Sequence, residues 1–179
     1  NVLKYAITMQ GIIKTISPLY GRLKKGTEIS VIAAPSFKTN FPNYKRIIGL
    51  LKSLGVKEVY DVSLGADITT WAYLKAYQEK GIKSIIAQPC PAIVNFVEKY
   101  RHDLLSDLAP VHSPMMCTAI YLKKHLNLNE KLCFLSPCIA KISEITDKNT
   151  HNYVHYNVTY NKLMDYIASK NISLNSFPE

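Results

Sequence analysis

The chain has 179 residues, 47% of them apolar and 20% charged, which suits a folded domain with a sizeable core and excludes a disordered or low-complexity chain. Its 22 lysines and arginines stand against 13 acids, for a formal charge of +9, yet the lysines scatter over helix faces with Lys24-Lys25 and Lys123-Lys124 as the only lysine doublets. That spread reads as a solvated surface and excludes a basic nucleic-acid module, and no apolar run nears the roughly 20 residues of a membrane span. No secretory leader is visible, so the cytoplasm is the expected location. The chain is too long and too rich in aliphatic residues to need a disulfide scaffold, and its four cysteines form no Cys-x-x-Cys pair, against a self-contained zinc site.

Residues 1–25 lack a clear period and read as a linker or the end of an upstream, ferredoxin-like region. From Gly26 the pattern becomes regular. A strand is expected at Ile29–Ala34, broken by Pro35-Ser36, then a helix near Asn43–Leu54 ended by Gly55. A second strand is expected at Val56–Val62. The next helix starts around Gly65-Ala66-Asp67, with Asp67 as N-cap, and Gly81 closes it. Ile82–Ala87 reads as a third strand, ending in Gln88-Pro89-Cys90-Pro91, and Pro91 opens a helix to Tyr100. A short helical piece is expected at Asp103–Leu108 and a helix from Ser113-Pro114 to about His125. Leu132–Leu135 is the fourth strand, broken by Ser136-Pro137-Cys138. Tyr153–Val158 is one further candidate strand, before a helix at Asn161–Lys170. The tail from Asn171 has no evident partner.

Strand–helix alternation of this kind predicts an α/β fold, with a parallel Rossmann-like sheet of about four strands and helices on both faces. A first lobe is expected over 26–145 and the start of a second α/β lobe over 146–179. Gly21 and Gly26 are not a phosphate loop, because no Gly-Lys-Ser/Thr comes after them.

Three strands thus stop at a proline, each leaving a polar or reactive side chain just beyond: Ser36, Cys90 and Cys138. In one parallel sheet these would share the carboxyl edge, where open α/β folds bind ligands. Cys117, inside an apolar helix, and Cys133, inside a strand, read as small buried hydrophobes. Cys90 and Cys138 are either core thiols or ligands, since amides at such transitions can stabilise a thiolate or a cluster sulfur. Lys141 and Glu144 fall on one helix face at i, i+3, as a solvent-facing ion pair or as an amine and carboxylate serving an anionic ligand and proton transfer. The five histidines are dispersed, with no metal-binding pattern, and His112 suits a surface or capping role. A cysteine hydrolase built on His112 and Asp67 has no support in the spacing.

The motifs resemble the H-cluster domain of the iron-only (FeFe) hydrogenase large subunit. Ala34-Pro35-Ser36, Gly65-Ala66-Asp67, Pro89-Cys90-Pro91 with Asn95 to Tyr100, Ser113-Pro114, and Ser136-Pro137-Cys138-Ile139-Ala140-Lys141 with Glu144 carry the likeness. The resemblance implies a 4Fe-4S cluster bound through Cys90 and Cys138. It also implies a diiron H-cluster subsite, in the full-length protein only, with Ser36 and its neighbour Pro35 beside one cyanide and Lys141 binding the other. Glu144 is similar to the last carboxylate of the family's proton path.

The departures are informative. Pro89 stands where catalytic members carry a second cysteine, Tyr73 and Ala76 replace two relay glutamates, Ser136 replaces a methionine, and Met115 a glutamine. The pattern resembles the divergent sensory members that sit beside PAS, kinase or phosphatase modules. The third cysteine motif of the family is not in the chain, so the sequence reads as an excerpt whose activity alone is not expected. The implied activity is reversible hydrogen oxidation and proton reduction, or hydrogen sensing, in an anaerobic cytoplasm with a ferredoxin-type electron partner. The alternative is a non-catalytic iron–sulfur scaffold, redox relay or interaction domain of the same fold.

Overall fold

The computed structural model describes residues 26–80 and 85–178. The expected linker 1–25 and the stop at Gly81 lie outside them. In chain order come β1 (Ile29–Ala33), α1 (Ser36–Asn40), α2 (Tyr44–Ser53), β2 (Val56–Asp61) and α3 (Ser63–Lys80). Next are α4 (Pro91–Tyr100), a 3-10 turn (His102–Asp107), α5 (Pro114–Ile120) with a π-helical turn (Tyr121–His125), and β3 (Lys131–Ser136). The chain continues through α6 (Lys141–Ile145), β4 (Val154–Thr159) and α7 (Tyr160–Ser169).

The fold is α/β, a four-stranded parallel sheet in the order β2-β1-β3-β4 together with helices. All five residues of β1 and five of the six of β3 are buried, the mark of central parallel strands covered on both faces. Two compact units divide the chain. The sheet unit comprises the described residues up to Tyr60, Glu130–Ile139 and those from His155 onward; the helical unit comprises Asp61–Asn129 and Ala140–Val154.

In the sheet unit β1 and β3 pair in parallel, from Ile29 opposite Lys131 to Ala33 opposite Leu135. Ile29, Val31, Ala33, Cys133 and Leu135 form one core with Phe37, Ile47 and Leu50 of α1 and α2 and with Leu163 and Ile167 of α7. Large apolar side chains of this kind are worth about 1.5–3 kcal/mol each when fully buried, so this layer holds the sheet. Gly55, at φ +96°, takes the left-handed turn that lets the chain leave α2 and enter β2. The tail does find partners: Arg46 donates to Asn175, and Ile172, Leu174 and Phe177 pack on the core.

In the helical unit α3 crosses α5 closely. A Cβ on Gly65 would lie 2.1 Å from the Pro114 carbonyl oxygen and 2.2 Å from the Thr118 hydroxyl, so only glycine fits there. The helix start differs from expectation. Asp61, not Asp67, caps α3: its carboxylate accepts from the Ser63 amide at 2.8 Å and the Ser63 hydroxyl at 2.6 Å, so the helix begins at Ser63 and Asp67 lies within it.

The expected strand Ile82–Ala87 is described only in part. Residues 81–84 lie outside the described residues, and the described end of the run makes a single parallel bridge, Ile86 to Leu108. Pro89 and Pro91 lack amide donors and cannot extend a ladder. The sheet's fourth strand is instead Val154–Thr159.

Candidate functional site

Because β1 and β3 are parallel neighbours in register, their carboxyl ends coincide, and the Ala34 amide still reaches the Leu135 carbonyl at 2.9 Å. Ser36 and Cys138 come directly after these ends, so both leave the sheet at one edge of the sheet unit. Pro35, exposed, begins α1 and brings no polar side chain. The Ser36 hydroxyl lies 2.9 Å from the Tyr160 hydroxyl, either of which can donate. Cys138 sits in a braced turn. Its carbonyl accepts from Asn157 Nδ2 at 3.1 Å, and the buried Ser136 hydroxyl lies 3.2 Å from that carbonyl, 3.3 Å from the Cys138 amide and 3.3 Å from Asn157 Oδ1. Asn157 and Tyr160 were not anticipated: 19 and 124 residues separate them from the groups they hold, and spacing carries no such signal.

The helical unit holds Cys90, Lys141 and Glu144. Cys90 is the N-cap residue of the ten-residue α4, opened by Pro91, and its side chain makes no capping bond. Unpaired amides at such a helix end favour an anion. Lys141 Nζ donates to Glu144 Oε2 at 2.7 Å and to the Pro89 carbonyl at 2.7 Å. With side-chain exposures of 11% and 14% this is a largely buried pair, which removes the solvent-facing reading. Charges so enclosed need the partner each finds in the other. Glu144 also lines a cavity of about 180 Å³ with Gln88, Asn95, Glu98, His112 and Asp147.

Tyr73 of α3 accepts from the Gln88 amide at 3.3 Å. Burial raises its phenol above the usual value of 10, so it is neutral at physiological pH. His112 is exposed, and its carbonyl accepts from the Cys117 thiol at 3.5 Å and the Thr69 hydroxyl at 3.2 Å. Cys117 is thus half-buried and hydrogen-bonded, not a plain core residue, and burial raises its thiol. Cys133 is the buried hydrophobe expected, its thiol pushed up to about 12 by burial.

A cubane cluster takes four thiolates. Among the described residues no three or more His, Cys, Asp or Glu side chains gather to hold a metal ion. Cys133 stays protonated inside its strand, while Cys90 and Cys138 are free, partly exposed thiols at turns. The donors present fit a share of a cluster's ligands and not the full set. No helix among the described residues is long and apolar enough to cross a membrane.

Several solved structures share the fold. A HydA FeFe-hydrogenase in which stepwise H-cluster assembly was described matches with a TM-score of 0.70 at 23% identity, over 86% of this chain and 44% of that one. An FeFe-hydrogenase studied for oxygen inactivation beginning at the 2Fe subcluster of the H cluster matches at 0.73 and 21%, over 92% and 50%. An apo FeFe-hydrogenase from Chlamydomonas reinhardtii matches at 0.67 and 22%, over 86% and 45%. The chain spans half or less of the length of these structures. The family model described as the iron only hydrogenase large subunit, C-terminal domain, matches residues 27–179, and the chain belongs to that family.

Proposed function

We propose that this iron-only hydrogenase-like domain supplies part of an iron–sulfur site, with Cys90 and Cys138 as two ligands of a 4Fe-4S cluster. When bound, a cluster with its diiron subsite supplies reversible exchange of electrons and protons with dihydrogen. The chain's own residues bind and orient. Ser36 and Lys141 donate hydrogen bonds to anionic ligands, since buried anions require charge-assisted partners. Glu144 offers a carboxylate for proton transfer beside Lys141.

One observation carries this reading: Lys141 Nζ reaches the carbonyl of Pro89, the residue before Cys90, across 52 positions of sequence. That contact ties the motif ending in Lys141 to the first cysteine motif, as residues serving a common site require. The role we propose is slow turnover or hydrogen sensing. Pro89 and Ala76 have no titratable group, and the Tyr73 phenol, raised by burial, holds its proton near neutral pH, so the positions of a fast relay lack the carboxylates and thiol that exchange protons readily there. An anaerobic cytoplasm and a ferredoxin-type electron partner, with a PAS, kinase or phosphatase module alongside, belong to the same proposal.

The test is anaerobic reconstitution of the full-length protein, with iron and sulfide analysis and infrared spectroscopy. Bound iron and sulfide with carbon monoxide and cyanide bands are expected. Iron and sulfide without those bands would reduce the domain to a scaffold or relay. No bound iron, with Cys90 and Cys138 inert to alkylation until unfolding, would remove the iron–sulfur reading altogether.

A further inference from the structure

Among the described residues, the loop that carries Cys90 has little backbone pairing of its own. Backbone pairing stops at Ile86, whose amide donates to the Asp107 carbonyl at 2.6 Å and whose carbonyl accepts from the Ala109 amide at 3.0 Å. Beyond Ile86 come Pro89 and Pro91, the latter opening α4, and neither supplies a backbone amide. Two side chains grip the backbone just ahead of the thiol. The Gln88 amide donates to the Tyr73 hydroxyl at 3.3 Å, and the Pro89 carbonyl accepts from Lys141 Nζ at 2.7 Å. The two grips come from different elements, α3 and α6, and act on consecutive residues immediately before Cys90.

We infer that Tyr73 is a positioning residue for Cys90: its hydroxyl and the ammonium of Lys141 together clamp the Gln88-Pro89 backbone and so fix where the Cys90 thiol sits. The inference rests on the reading of Cys90 as a cluster ligand, but the clamp itself concerns only this chain's residues. It gives the tyrosine at a lost relay position a distinct task. A phenol that accepts a backbone amide places the loop without moving a proton. The Gln88 amide is also the last backbone donor ahead of Cys90, because residue 89 is proline. When its acceptor is removed, the next residue therefore cannot take over the contact.

The test uses Tyr73→Phe in the full-length protein, which deletes the oxygen and keeps the ring. In protein without metal, alkylation of Cys90 followed by mass spectrometry is expected to quicken about fivefold, the factor that corresponds to loss of one ordinary hydrogen bond. Cys138, in the other compact unit, serves as the internal control and keeps its rate. After reconstitution, the variant is expected to show a shifted electron paramagnetic resonance signature of the reduced cluster, whereas a loss of ring packing alone would need a change that Phe does not make. In the unaltered protein, the Gln88 amide is expected to exchange with deuterium more slowly than an exposed loop amide, a measurement that stands even if the variant does not fold. An unchanged Cys90 rate in folded variant, or rapid exchange at Gln88, overturns the clamp. A quickened Cys90 in protein that binds no iron in either form would leave the clamp standing and sink the cluster reading instead.

Discussion

At the scale of single residues, the thiols are sorted by where the backbone leaves them. Cys133 lies in the middle of β3, fully enclosed, and burial favours its neutral form. In the folded protein it stays protonated to about pH 12, while in the unfolded chain it ionises near 9. Between those values the unfolded state has released a proton that the native state keeps, so stability falls as pH rises; below 9 the contribution is intact. The slope is about 1.4 kcal/mol per pH unit, or roughly 2 kcal/mol between pH 9 and 10.5. Tyr60, Tyr73 and Tyr160, raised by burial, add loss of the same sign. Urea unfolding at pH 8 and pH 10.5 of the unaltered protein and of Cys133→Ala isolates the thiol's part: the variant is expected to lose about 2 kcal/mol less over that interval. Equal losses in both would show that Cys133 reaches water in the native state. Cys90 and Cys138 stand instead at turns, partly exposed.

At the scale of elements, what was legible in the sequence depended on locality. β1 and β3 announce themselves as continuous apolar runs, and Ser113-Pro114 starts α5 as its pattern predicts, with the Ser113 hydroxyl accepting from the Met116 amide. The run Ile82–Ala87 carries the same apolar signature, yet its described end pairs only with Leu108, because periodicity names an element and not its partner. For the same reason the edge shared by Ser36 and Cys138 could be anticipated from two prolines, whereas the groups bracing it could not. Asn157 reaches the Cys138 carbonyl from β4, and Tyr160 meets Ser36 from the first turn of α7. The brace leads to a prediction. Asn157 is buried and bonds both the Cys138 carbonyl and Ser136, so Asn157→Ala removes two hydrogen bonds from the brace. A loss of about 1–3 kcal/mol in unfolding free energy is expected. The freed turn should also expose the Cys138 thiol, read as faster alkylation there with Cys133 still unreactive. If stability falls and Cys138 keeps its rate, Asn157 supports β4 alone and the turn is rigid without it.

At the scale of the whole molecule, each compact unit carries one of the two free turn thiols: Cys138 belongs to the sheet unit, and Cys90, with Lys141 and Glu144, to the helical unit. The chain joins them by the three-residue step from Cys138 to Lys141, so the second motif is covalently shared between the units. The three positions at which we propose that a proton relay is broken all lie in the helical unit, and they are not equivalent. Ala76 and Tyr73 change the wall of α3, but Pro89 occupies the position next to Cys90 itself. The Lys141 contact at that position uses only the backbone carbonyl, which any residue supplies. Pro89→Cys in the full-length, reconstituted protein therefore keeps the clamp's second grip while adding a titratable thiol and an amide donor. Hydrogen turnover, measured as gas evolved from a reduced low-potential dye, is expected to rise several-fold, proton transfer by a positioned side chain being worth about a hundredfold or more where the whole path is intact. The gain should stop short of that ceiling because the two positions on α3 still carry no relay carboxylate. Turnover that stays level or drops, with infrared bands unchanged, would mean that the missing thiol is not what limits the rate.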